Sequence, residues 1–308
     1  MIGLDTTFKP KFSGHETFPF RYDWLRKVLT EPLLDQQKAP EVDSHLEHAM
    51  ATYGVGKNMV QSMYHWIQVI GAGSLKDGKV ITTDFGRRIL VDTDPYLDSM
   101  STIWALHWRI ATNERLATTW YWFFNLFPSS SINTRSATSE LKVYGLAKGW
   151  KLVSDNTLRR DIECFIRCYS VSRSRKGELG EDSIECPLAE LELLRPQEDT
   201  KIFEFQRGPK PSLQNEVFIF ALNEFWNKVS GTSGTLSFDQ IAHAAGSPGK
   251  VFRLDEDSII SRLQKISEIT NGRFNWADTA GLQQVLRNGE LEEGGLSLLE
   301  SACKRGIQ

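Results

Sequence analysis

No apolar run in this chain approaches the roughly 20 residues needed to span a bilayer, and the first residues lack the apolar centre of a secretory signal. A cytoplasmic protein with no membrane partner is therefore expected. Cysteine is scarce: Cys164, Cys168, Cys186 and Cys303 include no C-x-x-C pair. That disfavours a disulfide framework and a metal–thiolate site, and leaves reduced, buried thiols as the ordinary reading, although Cys164 and Cys168 share a helix face. Positive charge is not in excess either, since 36 Lys and Arg face 39 Asp and Glu. A polybasic binder is thereby excluded, and any DNA contact must come from local patches. Standard nuclease signatures, paired-His metal motifs and the P-loop spacing are missing too. Gly246-Ser247-Pro248-Gly249-Lys250 invites a phosphate reading by ending in lysine, but without that spacing it gives no ground for ATP.

What is present begins with His45 to Leu90. A short helical pattern, His45 to Tyr53, breaks at Gly54-Val55-Gly56. Met59, Met63, Trp66, Ile67 and Ile70 then recur at intervals of three and four, which makes one side of a helix apolar. The other side carries Asn58, Gln61, Ser62, His65 and Gln68. Asp77-Gly78 between two short runs predicts a hairpin, because its turn needs positive φ at both central residues. Helix, turn, helix, hairpin is the order of a winged helix-turn-helix, whose second helix enters the major groove of double-stranded DNA. Asn58, Gln61 and His65 would then face base edges, with Lys57 and Lys79 reaching phosphates. Such modules also serve as protein–protein contacts, and a polar helix face is often only solvated.

The remaining chain suggests a mainly α fold with small β-hairpins, an α+β class containing several winged-helix or helix-turn-helix-like units. At 308 residues with 40% hydrophobic content it is long enough for more than one domain. The expected division is 1–128, a winged-helix unit with an aromatic helical extension; 129–200, a helical middle region and linker; and 201–308, a C-terminal winged-helix-like unit. Thr83 to Leu90 restarts a helix in which Arg87 and Arg88 could touch phosphates. The aromatics between Tyr96 and Phe127 read first as core and second as a platform for unpaired bases. The acidic tail past Asn288 is expected to fray.

Two short stretches carry the densest chemistry. Ser13-Gly14-His15-Glu16-Thr17-Phe18 precedes the first helix, with Glu16 a possible metal ligand or proton acceptor, His15 a possible base and Arg21 a possible phosphate clamp. The competing reading is an internal lock in which Glu16 pairs with Arg21 and His15 is hydrogen-bonded. Ser154 to Arg167 forms a capped amphipathic helix whose outer side carries Arg159, Arg160 and Arg167, followed by Arg173, Arg175 and Lys176. Asp161 and Glu163 could hold a divalent ion there, or could form helix salt bridges.

Ser13 to Phe18, Gly54-Val55-Gly56-Lys57-Asn58-Met59-Val60, Thr157-Leu158-Arg159-Arg160-Asp161, Cys186 to Leu191, Pro248 to Leu254 and Asp278-Thr279-Ala280-Gly281 together resemble a bacterial phage-defence family of formerly unknown function. That family includes the DNA-nicking component of single-stranded DNA phosphorothioation systems. The resemblance spans nearly the whole chain. It implies a metal-dependent endonuclease, cutting one strand beside a cysteine desulfurase, an ATP pyrophosphatase and an ATPase that install sulfur. It does not name the catalytic residues. From the residues themselves the candidates are His15, Glu16 and Asp161 for catalysis, with Glu16 and Asp161 as ligands of Mg2+. The rival is a non-catalytic DNA-binding regulator or recruitment subunit.

Overall fold

The computed structural model describes residues 9–34, 44–151, 153–170, 186–198, 200–230, 233–279 and 281–307. The tail of Arg173, Arg175 and Lys176 and the 177–185 part of the expected linker lie outside them. The class is α+β: thirteen helices α1 to α13 with three small antiparallel sheets among the described residues. No described helix is long and apolar enough to cross a membrane.

Helix α1 (Tyr22–Leu34) precedes α2 (Ser44–Tyr53) and α3 (Lys57–Ile70). Gly54 takes φ +68° between the latter two, and Gly71 caps α3 in the left-handed region, donating to Gln68 and Ile67 carbonyls. Strands β1 (Gly73–Lys76) and β2 (Lys79–Thr82) pair with Lys76 opposite Lys79. Asp77 and Gly78 form the two-residue turn at φ +51° and +74°, a backbone twist that matches the strands. Helix, turn, helix and hairpin thus occur in the expected order.

The next segment differs from expectation. Gly86–Thr93 is a wider π-helical stretch rather than an ordinary helix, and it starts where Gly86 presses on the Ala72 carbonyl. Helices α4 (Met100–Ala111) and α5 (Thr118–Asn125) carry the aromatics inside: Trp104, Trp108, Trp120, Trp122, Phe123 and Phe124 are buried. They are core and no platform for bases.

Strand β3 (Ser131–Asn133) leads into α6 (Thr134–Ala147) and α7 (Asp155–Tyr169), whose N-cap Ser154 accepts from Thr157 N–H. After a 3-10 turn at Pro187–Leu191, β4 (Leu194–Pro196) and β5 (Ile202–Phe205) complete a sheet in the order β3-β5-β4. The boundary expected at 200 therefore falls between hydrogen-bonded strands. Helix α8 (Asn215–Ser230) is followed by β6 (Thr235–Ser237), α9 (Phe238–His243), α10 (Pro248–Val251), α11 (Glu256–Leu263) and α12 (Ile266–Ile269). Strands β7 (Phe274–Thr279) and β8 (Leu282–Arg287) close the third sheet, β6-β8-β7.

The expected frayed tail is instead helix α13 (Leu296–Ile307), which buries Leu296, Leu299, Ala302 and Cys303. Its Glu300, with Glu293 just before it, holds Arg88, so Arg88 is a structural tie rather than a phosphate contact. The buried apolar residues from Phe12 to Cys303 form one contiguous core.

Candidate functional site

Ser13 to Phe18 folds as a tight loop with three non-glycine residues at positive φ: Ser13 at +60°, Glu16 at +48° and Thr17 at +66°. Such a conformation costs energy and persists only where surrounding contacts hold it. Here they do. Asp161 of α7 accepts from Ser13 N–H at 2.7 Å and from His15 Nε2 at 2.6 Å through one oxygen, and from the Thr119 hydroxyl of α5 through the other. His15 Nδ1 accepts from Thr17 N–H at 3.0 Å, which puts the ring hydrogen on Nε2 and aims it at Asp161. The Ser62 hydroxyl of α3 donates to the His15 carbonyl at 2.9 Å, Trp66 Nε1 to the Phe18 carbonyl at 3.2 Å, and Arg167 to the Thr17 carbonyl at 2.6 Å. One loop therefore joins α3, α5 and α7.

The joint is dry. His15 and Asp161 are each 1% exposed. The His15 ring is stacked 6.1 Å from Trp66 and lies edge-on 5.4 Å from Trp120. His65 closes the other side at 5% exposure, its Nδ1 without a hydrogen-bond partner among the described residues. Burial, then repulsion from His15 and Lys11, pushes its pKa down to about 3, so the ring is neutral. Gly14 fits between them only because it has no side chain: a Cβ there would come within 2.7 Å of the His65 ring and 2.8 Å of Lys11.

The candidate residues now separate. Asp161 has both oxygens engaged by internal donors, and His15 has both ring nitrogens engaged, so neither is presented to a substrate. His65, expected on the groove face, points inward, as does Ser62. The reason is their partner: the 13–18 loop, distant in sequence, covers that side of α3. Lys57, Asn58 and Gln61 on α3, and Lys79 on β2, are exposed. So are Glu16, Arg159, Arg160 and Arg167. Arg159 is tied to Glu163 at 3.1 Å and to Asn156, the ordinary helix-surface arrangement. Arg160 and Arg167 are seven residues apart and so share one stripe of α7, the stripe that touches the loop. Glu16 thus stands in solvent at the apex of a loop bracketed by α3 and α7.

Among the described residues, no group of three or more His, Cys, Asp or Glu side chains is arranged to hold a metal ion. The expected pair of ligands does not come together: Asp161 is filled by internal donors, which leaves Glu16 as an exposed carboxylate apart from it. The four cysteines are free and buried, and burial pushes Cys164 and Cys186 well above the ordinary thiol range. Sequence reading missed Thr119 and Ser62 as partners of the loop; both hydroxyls are ordinary helix residues until their distant acceptors are known.

No curated protein matches the chain. Two solved structures are similar in fold across nearly all of it. An SspB crystal structure superposes with TM-score 0.79 at 24% identity, covering 96% of this chain and 87% of that one. A magnesium ion-bound SspB crystal structure gives 0.77 at 23% identity, covering 96% of each. At that identity they establish the fold. The family described as protein of unknown function (DUF4007) matches residues 12–302, and the chain belongs to it.

Proposed function

We propose that this chain is a DNA-binding, strand-nicking component of a single-stranded DNA phosphorothioation system serving phage defence. The sequence resemblance implies that role, and the full-length likeness to SspB supports it. The observation that carries the proposal for this chain is the 13–18 loop, which holds Glu16 out between the exposed amides of α3 and the arginine stripe of α7. Lys57, Arg160 and Arg167 would lie along phosphates, and Asn58 and Gln61 would meet base edges. Glu16 is the carboxylate available to accept a proton from the attacking water. His15 and Asp161 act as positioning residues, fixing the loop rather than touching DNA. A cysteine desulfurase, an ATP pyrophosphatase and an ATPase would work beside it, as the resemblance implies.

A magnesium ion, which one of the two similar SspB structures binds, would stabilise the charge that develops on the phosphate. The second reading is a non-catalytic subunit that recognises DNA and recruits the sulfur-transfer enzymes.

Plasmid relaxation by purified protein, with magnesium and with EDTA, separates the two readings. Open circles formed only with the metal, and lost in Glu16→Ala while mobility shift is retained, support the nickase. Mobility shift with no conversion supports the recruitment subunit.

A further inference from the structure

A recurrent arrangement on this molecule is a cation facing a carboxylate: Arg109 with Glu224, Lys142 with Asp155 and Arg305 with Glu216. Residues 206–210 and 246–255 break that habit where they meet. Gly208 N–H donates to the Arg253 carbonyl at 3.0 Å and Arg207 Nε to the Leu254 carbonyl at 3.2 Å, which lays the two segments side by side. Each segment brings two cations, Arg207 and Lys210 from one, Lys250 and Arg253 from the other.

Arg253 forms a fixed rear wall. Its guanidinium lies 3.8 Å from the Phe205 ring centre and donates to the Phe123 carbonyl at 2.8 Å. Lys210, 9% exposed, donates to the Gln206 carbonyl at 2.9 Å. Gly249 is pressed on α9, where a Cβ would come within 2.5 Å of the Ala242 carbonyl, so the backbone carrying Lys250 is held. Lys250 is half-buried and Arg207 exposed, and neither has a carboxylate partner among the described residues. Asp255, the acid nearest the cluster, is engaged as the N-cap of α11, accepting from Ser258 N–H at 2.8 Å. Asp255 and, more weakly, Glu192 reach Lys210 only through space, and Asp255 also interacts with Arg207 in that way.

Burial, then repulsion from Arg253 and Arg207, pushes Lys250 below the usual lysine range, and burial with Arg207 brings Arg253 down to about 10. Lys210, Lys250 and Arg253 are partly desolvated with only Asp255 and Glu192 acting as counter-charges through space, a standing cost that an external anion reduces.

We propose that Arg207, Lys210 and Lys250, backed by Arg253, form a phosphate-binding site. A DNA phosphodiester and a nucleoside triphosphate share the required chemistry, and the site lies on elements separate from the α3 and α7 face. Helix α5 runs between the two places, with Thr119 on Asp161 and the Phe123 carbonyl on Arg253.

The full chain is titrated calorimetrically with ATP, with a short single-stranded oligonucleotide and with inorganic phosphate. The same titrations are run on Arg207→Ala/Lys250→Ala and on Lys57→Ala/Gln61→Ala. The first double variant is expected to weaken at least one of the first two probes roughly tenfold, and to reduce the salt slope for the oligonucleotide by about 1.4, two contacts at ~0.7 each. Tight ATP binding lost in that variant identifies a nucleotide site; loss for the oligonucleotide alone identifies a strand track. Equal affinity of wild type and this variant for every probe, wild-type binding to none, or response to inorganic phosphate only, overturns the proposal. Should the double variant unfold, Lys250→Gln and protection of the wild type by each probe in thermal melts draw the same distinction. Failure of plasmid nicking with this binding intact bears on the previous proposal alone, and the α3 variant is expected to leave ATP binding unchanged.

Discussion

The loop joint at His15 and the basic junction at Lys250 are built on opposite rules. At the joint, a carboxylate at 1% exposure has three donors, the imidazole beside it has both nitrogens engaged, and the whole is sealed by Trp66 and Trp120. At the junction, four cations share a partly wet space with two acids acting only through space, Asp255, which also caps a helix, and Glu192. Buried polar groups are tolerated when satisfied and expensive when not, so the first arrangement stabilises the fold and the second burdens it. An anion at the proposed phosphate site would relieve the second.

The strongest way to break the contrast is Asp161→Ala. It strands Ser13 N–H, the His15 Nε2 hydrogen and the Thr119 hydroxyl in the interior, and is expected to lower stability by about 3 kcal/mol or more in urea denaturation. A loss under about 1 kcal/mol would mean that the loop is not held through this carboxylate.

Acid tests the same joint more gently. His65 is pushed down to about 3 by burial, then by His15 and Lys11, whereas an unfolded histidine titrates near 6.5. Below about pH 6.5 the unfolded chain takes up a proton that the folded chain refuses. The stability tied to neutral His65 is therefore complete above about pH 6.5 and is lost progressively as pH falls toward 3. At about pH 5.5 the loss is about 1.4 kcal/mol for this group. Fully buried His107, also pushed down to about 3 by burial, adds a similar amount elsewhere in the core. His65→Gln should shrink the drop in urea midpoint between neutral pH and about pH 5.5; an unchanged drop would put the acid sensitivity elsewhere.

The smallest effect is the most telling. Lys250→Met removes a half-buried cation from among like charges and is expected to raise the melting temperature slightly, by a few tenths of a kcal/mol in stability. A substantial loss instead would show that Lys250 serves the fold, and the contrast with Asp161 would vanish.

What could be read in advance follows how local each signal is. Gly54, Asp77-Gly78 and the Ser154 cap act within a few residues of themselves, so α2, α3, the first hairpin and α7 were legible from turn and cap chemistry. The inward aromatics of α4 and α5 were legible from their density. His65 and Ser62 were not, because a polar residue facing inward looks the same as one facing water until the covering loop, some fifty residues away, is in place. The same holds for β3 and β4, strands of only three residues, and for the pairing of β3 with β5, its partner distant in sequence. The acidic run before α13 concealed a helix whose apolar stripe needed α4 and α8 to cover it. The junction was glimpsed as a loop ending in lysine, but its other half, Arg207 and Lys210, lies some forty residues earlier.

Gly14 carries a consequence for how variation in this chain is read. It sits on a surface loop and is only half-buried, where a scan of tolerated substitutions would ordinarily find freedom. With the His65 ring and Lys11 closed over it, every side chain from alanine upward acts as a wedge that pries the loop from α3. Saturation mutagenesis should therefore score Gly14 like an interior position, while its neighbour Glu16 accepts most replacements in a folding screen and fails only in one for activity.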